Sequence, residues 1–361
     1  MTAPTLETLG WTSAWAEAFA PHRDAGLVPA RVTLEHNHIF RVLAGDGEHL
    51  AEAAGRLKHR AEGRAELPVV GDWVAVRPGD AGSRAQIMAV LPRHGVFSRK
   101  AAGRETEEQM VAANVDCVLI VFGLDVPVKT RAIERYLVVA RRSGASPVVV
   151  LNKSDVSEDV AADVTEATVV AGDVPVLAVS THSGAGFEQL TNVMAFGQTV
   201  ALLGPSGVGK STIVNRLIGR ELLPTGEVRT WDQRGRHTTV HRQLVVRAEG
   251  GLIIDTPGMR ELQLWDTDAV TETFADIAAF AESCRFRDCR HDREPGCGVK
   301  EAVARGDLDA ARYEGFLKLQ AEQASVEAKR DERALIEAKR VGKIGAKAYR
   351  SLVKNRERQG R

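Results

Sequence analysis

The sequence predicts a multidomain fold: a small N-terminal β-barrel, a central α/β domain, and a mostly helical C-terminal domain with a basic helical tail. Three observations carry this. Residues 31–100 hold short β-like runs separated by Gly, Asp and Pro, the pattern of a small all-β unit. Residues 105–265 hold near-continuous apolar runs separated by helix-like stretches, as buried parallel strands and their covering helices do. Residues 270–319 read as helical around a Cys/His cluster. The expected boundaries are an extension at 1–30, the barrel at 31–104, the α/β domain at 105–265, a metal-binding domain at 266–319 and the tail at 320–361.

Composition sets the class. The chain has 361 residues, enough for two or three domains of about 150 each. Apolar residues at 44% and charged residues at 27% exclude wholesale disorder, a collagenous repeat and a disulfide scaffold. No apolar run approaches the ~20 residues of a membrane helix, and the N-terminus lacks the pattern of a secretory signal. No membrane partner is expected, and the expected location is the cytoplasm. The formal net charge is zero, yet Lys329 to Arg361 carries 12 basic and 4 acidic residues, a net of +8. An acidic body with a basic tail suggests an anionic partner; a solvated charged helix is the other reading.

The elements follow in order. Trp11 to Phe19 forms a short helical pattern that Pro21 follows. Strands are expected at Arg31–Leu34, Ile39–Leu43, Val69–Val76 and Gln86–Leu91, with turns at Gly45-Asp46-Gly47 and Pro78-Gly79-Asp80. A five-stranded oligonucleotide-binding (OB) barrel fits this length. Arg56, Lys58, His59, Arg60 and Arg64 lie between strands, as a solvated loop or a nucleic-acid contact. In the α/β domain, strands are expected at Cys117–Phe122, Val148–Leu151, Val176–Val179, Thr199–Leu203 and Leu252–Ile254. Pro175 suits the first position of a strand. A helix is expected over Thr130–Arg142, with Ile133, Tyr136, Leu137 and Ala140 on one face and Gly144 as a stop.

Gly204-Pro205-Ser206-Gly207-Val208-Gly209-Lys210-Ser211 matches G-x-x-x-x-G-K-[ST] between an apolar strand and a helical pattern that opens at Thr212. Glycines let backbone N–H groups turn toward phosphate oxygens, and the helix N-terminus adds positive partial charge. Lys210 would reach the β and γ phosphates, and Ser211 would ligate Mg²⁺. A second Mg²⁺ element should follow a strand. Asp255 ends the run Leu252-Ile253-Ile254, and Gly258 three residues on would offer its N–H to the γ phosphate.

Base choice is expected at Asn152-Lys153-Ser154-Asp155, after the strand Val148–Leu151. A carboxylate at Asp155 accepts the paired donors that guanine has and adenine lacks. Lys153 would lie along the purine, and Asn152 would brace the loops. Ser180-Thr181-His182 ends another strand, and its backbone would contact guanine O6; it departs from the usual Ser-Ala. GTP or GDP is therefore the expected nucleotide, with an ATP-dependent enzyme as the competing reading. The base elements at 152 and 180 precede the phosphate loop at 204, whereas ordinary GTPases run in the reverse order. The G domain is therefore read as circularly permuted, which is tolerable where the original termini lie close together.

With this permuted order and the Cys/His cluster, the chain resembles the ribosome small-subunit-dependent GTPases of the RsgA/YjeQ family over nearly its whole length. The resemblance rests on Asn152–Asp155, Gly204–Thr212, Gly235-Arg236-His237-Thr238-Thr239, Asp255 to Glu261, and the cluster. It implies an OB barrel, a permuted G domain and a zinc domain. It also implies late maturation of the 30S subunit, with GTP hydrolysis stimulated by that subunit.

The residue after D-x-x-G is Met259, where Ras-like enzymes use Gln to orient the water. His237 is the candidate substitute, and the resemblance points to it too; His241 competes. Thr239 is the first choice for a further Mg²⁺ ligand, with Thr238 beside it, and 220–236 would form the switch loop. Cys284-x₄-Cys289-x-His291-x₅-Cys297 offers a Cys₃His set, the closed tetrahedron of one structural Zn²⁺. Cys117 is read as core packing. The reading that results is a monomeric GTPase on the 30S subunit and its 16S rRNA. Its rival is an RNA-binding assembly factor for which GTP is a structural ligand.

Overall fold

The computed structural model describes residues 4–61, 63–80, 83–100, 108–128, 130–219, 242–255, 273–292 and 294–321. They divide into two compact units, one ending at residue 255 and one beginning at residue 273. In the first unit, β1 (Val28–His36), β2 (Ile39–Ala44), β3 (Gly47–Ala53), β4 (Trp73–Arg77) and β5 (Ala85–Val90) close a barrel in the order β1-β2-β3-β5-β4 and back to β1. Closure leaves no free sheet edge to manage. Ala30, Val32, Val42, Ala51, Val74 and Ile87 fill its interior.

Strand β3 is absent from the sequence reading. Its segment, GEHLAEA, turns only Ala51 and Ala53 fully inward, so its apolar signal is too sparse to read as a strand. Two further differences are local. Helix α1 (Ser13–Arg23) runs past Pro21, which sits in its last turns rather than ending it. The basic cluster is not a loop: Arg56, Lys58, His59 and Arg60 lie on helix α2 (Gly55–Arg60), with Arg64 opening a short 3₁₀ turn.

After a two-stranded ribbon, β6 (Val96–Lys100) with β7 (Glu108–Ala113), the chain enters the α/β part. Its strands are β8 (Cys117–Gly123), β9 (Ser146–Asn152), β10 (Val176–Ala178), β11 (Thr199–Leu203), β12 (Arg242–Val246) and β13 (Leu252–Asp255). They lie in the order β10-β9-β8-β11-β13-β12, with the first five parallel and β12 antiparallel to β13. Helices α3 (Thr130–Arg142), α4 (Val160–Ala171), α5 (Phe187–Asn192) and α6 (Lys210–Ile218) connect them. Their core packs Leu119, Val121, Val150, Leu190, Ile213 and Ile253 together. Burial drives the Cys117 thiol up to about 12 within β8, so it behaves as a packed apolar side chain.

The barrel and this sheet are continuous, because β1 also pairs with β12 at Leu34↔Gln243 and Glu35↔Arg242. Two arginines, Arg93 part-buried and Arg31 buried, anchor the neighbouring segments. Arg93 grips the fully buried Asp72 with two bonds of 2.7 Å. Burial pushes the Asp72 carboxyl up, and Arg93 pulls against it. Arg31 spans the barrel and β11, as detailed below.

The second unit holds α7 (Ala275–Ala281), α8 (Gly298–Arg305) and a helix over 310–321. Phe274, Ile277, Val299 and Ala302 are buried in it. Arg312 clamps Asp276 through two bonds, 2.6 and 2.9 Å, and lies over the Phe274 ring.

Candidate functional site

In an open α/β sheet, ligands bind beyond the carboxyl ends of the strands, where the connections diverge. Here β8 leads outward to β9 and β10, and β11 then starts on the other side of β8. The divergence lies between β8 and β11. The phosphate-loop sequence leaves β11 there, and the base element leaves β9 two strands away.

The loop Gly204–Gly209 joins β11 to α6 with its glycines at φ of +136°, +81° and +92°. Two of them also permit close approach. A Cβ at Gly204 would strike the Val121 carbonyl oxygen of β8, and one at Gly209 would strike the Asn152 amide. Only glycine meets both demands. Lys210 opens α6 and donates to the carbonyls of Gly204 (2.8 Å) and Pro205. Ser211 and Thr212 follow in the first helical turn, half-buried. Pro205, Ser206 and Gly207 are exposed and Val208 is buried.

Asn152 ties the site together. It ends β9 fully buried, its Nδ2 donates to the Val208 carbonyl at 2.8 Å, and its Oδ1 accepts from the Thr181 N–H at 3.2 Å. The base element, the phosphate loop and the Ser180 loop are thus held by one side chain. Asn152→Ala would leave both partners short of a bond, at a cost of about 1–3 kcal/mol. The expected result is a lower melting temperature together with about tenfold weaker guanine-nucleotide binding, measured by fluorescent-nucleotide titration.

Asp155 and Ser180 are brought together. The buried Ser180 hydroxyl donates to Asp155 and accepts from the N–H groups of His182 (3.2 Å) and Ser183 (3.0 Å). That bond lowers the Asp155 carboxyl from its ordinary value and orients an acceptor that is charged at neutral pH in any case. Ser154 donates its N–H to the Val179 carbonyl at 3.1 Å.

Two residues join the site that the sequence reading did not single out. Asp125, just past β8, pairs with Lys153 Nζ at 2.7 Å and holds the stem of a residue whose φ is +64°. Arg216 on α6 donates to the Thr181 carbonyl at 2.7 Å and lies over Phe187. It links the phosphate-loop helix to the Ser180 loop. Neither sits in a spacing motif, since each acts across 28 residues or more of chain.

Asp255 is the last residue of β13, beside β11; only its backbone is described. His237, Thr238, Thr239, His241, Gly258, Met259, the loop 220–236 and the tail from residue 329 lie outside the described residues.

In the second unit, one ligand atom from each of Cys284, Cys289, His291 and Cys297 lies within 4.8 Å of the others. Cys284 and Cys297 sulfurs are 3.9 Å apart, and each is 3.5 Å from His291 Nδ1. A tetrahedron with Zn–S bonds of about 2.3 Å and Zn–N of about 2.0 Å has edges of about 3.8 and 3.5 Å. The donor set fits such an ion. His291, at φ +62°, is oriented from behind by the Tyr313 hydroxyl, which donates to its carbonyl.

The family model described as RsgA GTPase matches residues 90–265. A relative from Opitutus terrae named small ribosomal subunit biogenesis GTPase RsgA is 49% identical, covering 89% of this chain and 90% of its own. One of the same name from Streptomyces coelicolor is 40% identical, covering 95% and 94%. The crystal structure of YjeQ from Thermotoga maritima superposes with a TM-score of 0.63 at 29% identity, over 82% of this chain and 99% of that one. YloQ, titled a circularly permuted GTPase, superposes at 0.60 and 23% identity over 83% and 96%, a likeness of fold.

Proposed function

The chain belongs to the RsgA GTPase family, and on that premise we propose that it hydrolyses GTP in late maturation of the 30S ribosomal subunit. The observation that carries the reading is the Asn152 bridge, which draws a guanine-type base element and a phosphate loop onto one ledge. Asp155 accepts the guanine N1–H and N2–H₂ donors, Lys153 lies along the base, and Ser154, Ser180 and Thr181 shape the pocket. The backbone from Gly204 to Thr212 cradles the phosphates, and Lys210 leaves its loop carbonyls for the β and γ phosphates. Ser211, Thr239 and Asp255 are assigned to Mg²⁺, which when bound offsets phosphate charge. His237 orients the water, the Gly258 N–H meets the γ phosphate, and Lys210 with backbone N–H groups stabilises the charge that develops.

Cys284, Cys289, His291 and Cys297 hold one structural Zn²⁺, with no open position for chemistry. The barrel with its α2 basic cluster, the zinc domain and the tail meet 16S rRNA mainly at phosphates, so affinity falls steeply with salt. The protein acts as a monomer in the cytoplasm, with the domain boundaries set out above.

The test compares GTP and ATP hydrolysis with and without purified 30S subunits. Strong stimulation of GTP turnover alone is expected. Met259, in the place of a water-orienting Gln, favours one rival: tight GTP binding with no stimulated turnover would make the nucleotide a structural ligand of an assembly factor. Equal ATP turnover would overturn the guanine assignment.

A further inference from the structure

Strand β1 belongs to the barrel but touches the α/β sheet twice. Arg31, only 2% exposed, donates to the carbonyls of Leu9, Gly71 (3.2 Å) and Asn114 (3.1 Å) and to the Thr199 hydroxyl (2.7 Å). Three residues on, Leu34 and Glu35 pair with β12. A register shift between Val32 and Leu34 separates the two contacts, and such a bulge re-aims a strand.

Thr199 opens β11, the strand that ends one residue before Gly204 of the phosphate loop. It is gripped at three atoms. Its N–H donates to the Asp116 carboxylate at 2.7 Å, its carbonyl accepts from the Asp116 N–H at 2.8 Å, and its hydroxyl accepts from Arg31. His94 faces the same carboxylate at 3.4 Å. Beyond Thr199, β11 is buried throughout and flanked by β8 and β13. Close packing leaves such a strand little freedom except a shift of the whole element. Arg31, His94 and Asp116 border a cleft of about 730 Å³ walled by Trp11, Trp15 and Phe196, and Thr199 lies fully buried behind them.

We propose that β1 is the strut through which occupancy of the barrel reaches the phosphate loop, and that Arg31 is its positioning residue, acting on β11 through Thr199. The inference rests on the ribosome-coupled reading above. Arginine suits the task because its rigid fork reaches several acceptors at once, which an ammonium on a flexible stem does not. Arg31 touches neither nucleotide nor reacting atoms and acts only through the strand.

The test uses the full chain and three quantities: the basal GTP hydrolysis rate, the affinity for purified 30S subunits, and the factor by which saturating 30S raises turnover. Thr199→Val removes one acceptor and keeps the shape. It is expected to hold basal rate and 30S affinity within about twofold while the stimulation factor falls about tenfold, the worth of one charge-assisted hydrogen bond. Thr199→Ser restores the hydroxyl and is expected to restore the factor. Arg31→Lys is expected to behave as Thr199→Val does. An unchanged factor in Thr199→Val, or basal and stimulated rates falling together, would overturn the strut and leave the ribosome-coupled GTPase standing. A wild-type chain that 30S does not stimulate would remove both.

Discussion

Asp155→Asn is expected to lower the preference for GTP over other nucleotides by about 10³-fold. The Ser180 hydroxyl that donates to the carboxylate holds it in place and further favours its charged form. Guanine brings two adjacent donors to an acceptor-only group, and an amide replaces one acceptor oxygen with a donor. One good bond becomes a clash of donors, and discrimination built on such pairs commonly reaches 10⁴ or more. Xanthine, with a carbonyl in place of the 2-amino group, should gain what GTP loses. Competition titrations with GTP, XTP and ATP read this directly. Retention of wild-type GTP selectivity would locate base recognition elsewhere than β9. Because Asp155 is held from Ser180, Ser180→Ala should produce a weaker form of the same defect.

Removal of metal from the Cys₃His set is expected to unfold the second unit while the first survives. The core around Phe274, Ile277, Val299 and Ala302 is small, and small cores are commonly stapled by metal. Structural zinc contributes on the order of 10 kcal/mol in such settings. Cys289→Ser should bind zinc poorly and expose 273–321 to protease, with guanine-nucleotide affinity retained by the first unit. Metal analysis of the purified chain checks stoichiometry, and limited proteolysis before and after chelation checks the unfolding. One zinc per chain and protease sensitivity only after chelation are the expected pair of results. A chain that stays resistant without metal would make the cluster an incidental group of thiols.

What could be read from the sequence was whatever chemistry imposes on neighbours in the chain. The phosphate loop needs glycines at fixed offsets before Lys210, because its backbone must bend where a Cβ would collide. The base element needs a strand end and four consecutive residues, and the Cys₃His set lies within 14 residues. Fully buried strands such as Cys117–Gly123 and Thr199–Leu203 announce themselves as apolar runs, and α3 by its period. What only the tertiary structure decided is what depends on distant partners. Strand β3 is polar enough to look like loop and is held by pairing with β2 and β5. Strand β12 likewise takes one of its two partners, β1, from the start of the chain. Asp125, Arg216 and Arg31 carry no motif, because a hydrogen bond or ion pair between residues 28 to 168 apart leaves no periodic trace in sequence. Local covalent spacing encodes the reacting groups, whereas the packing that aims them is a property of the folded sheet.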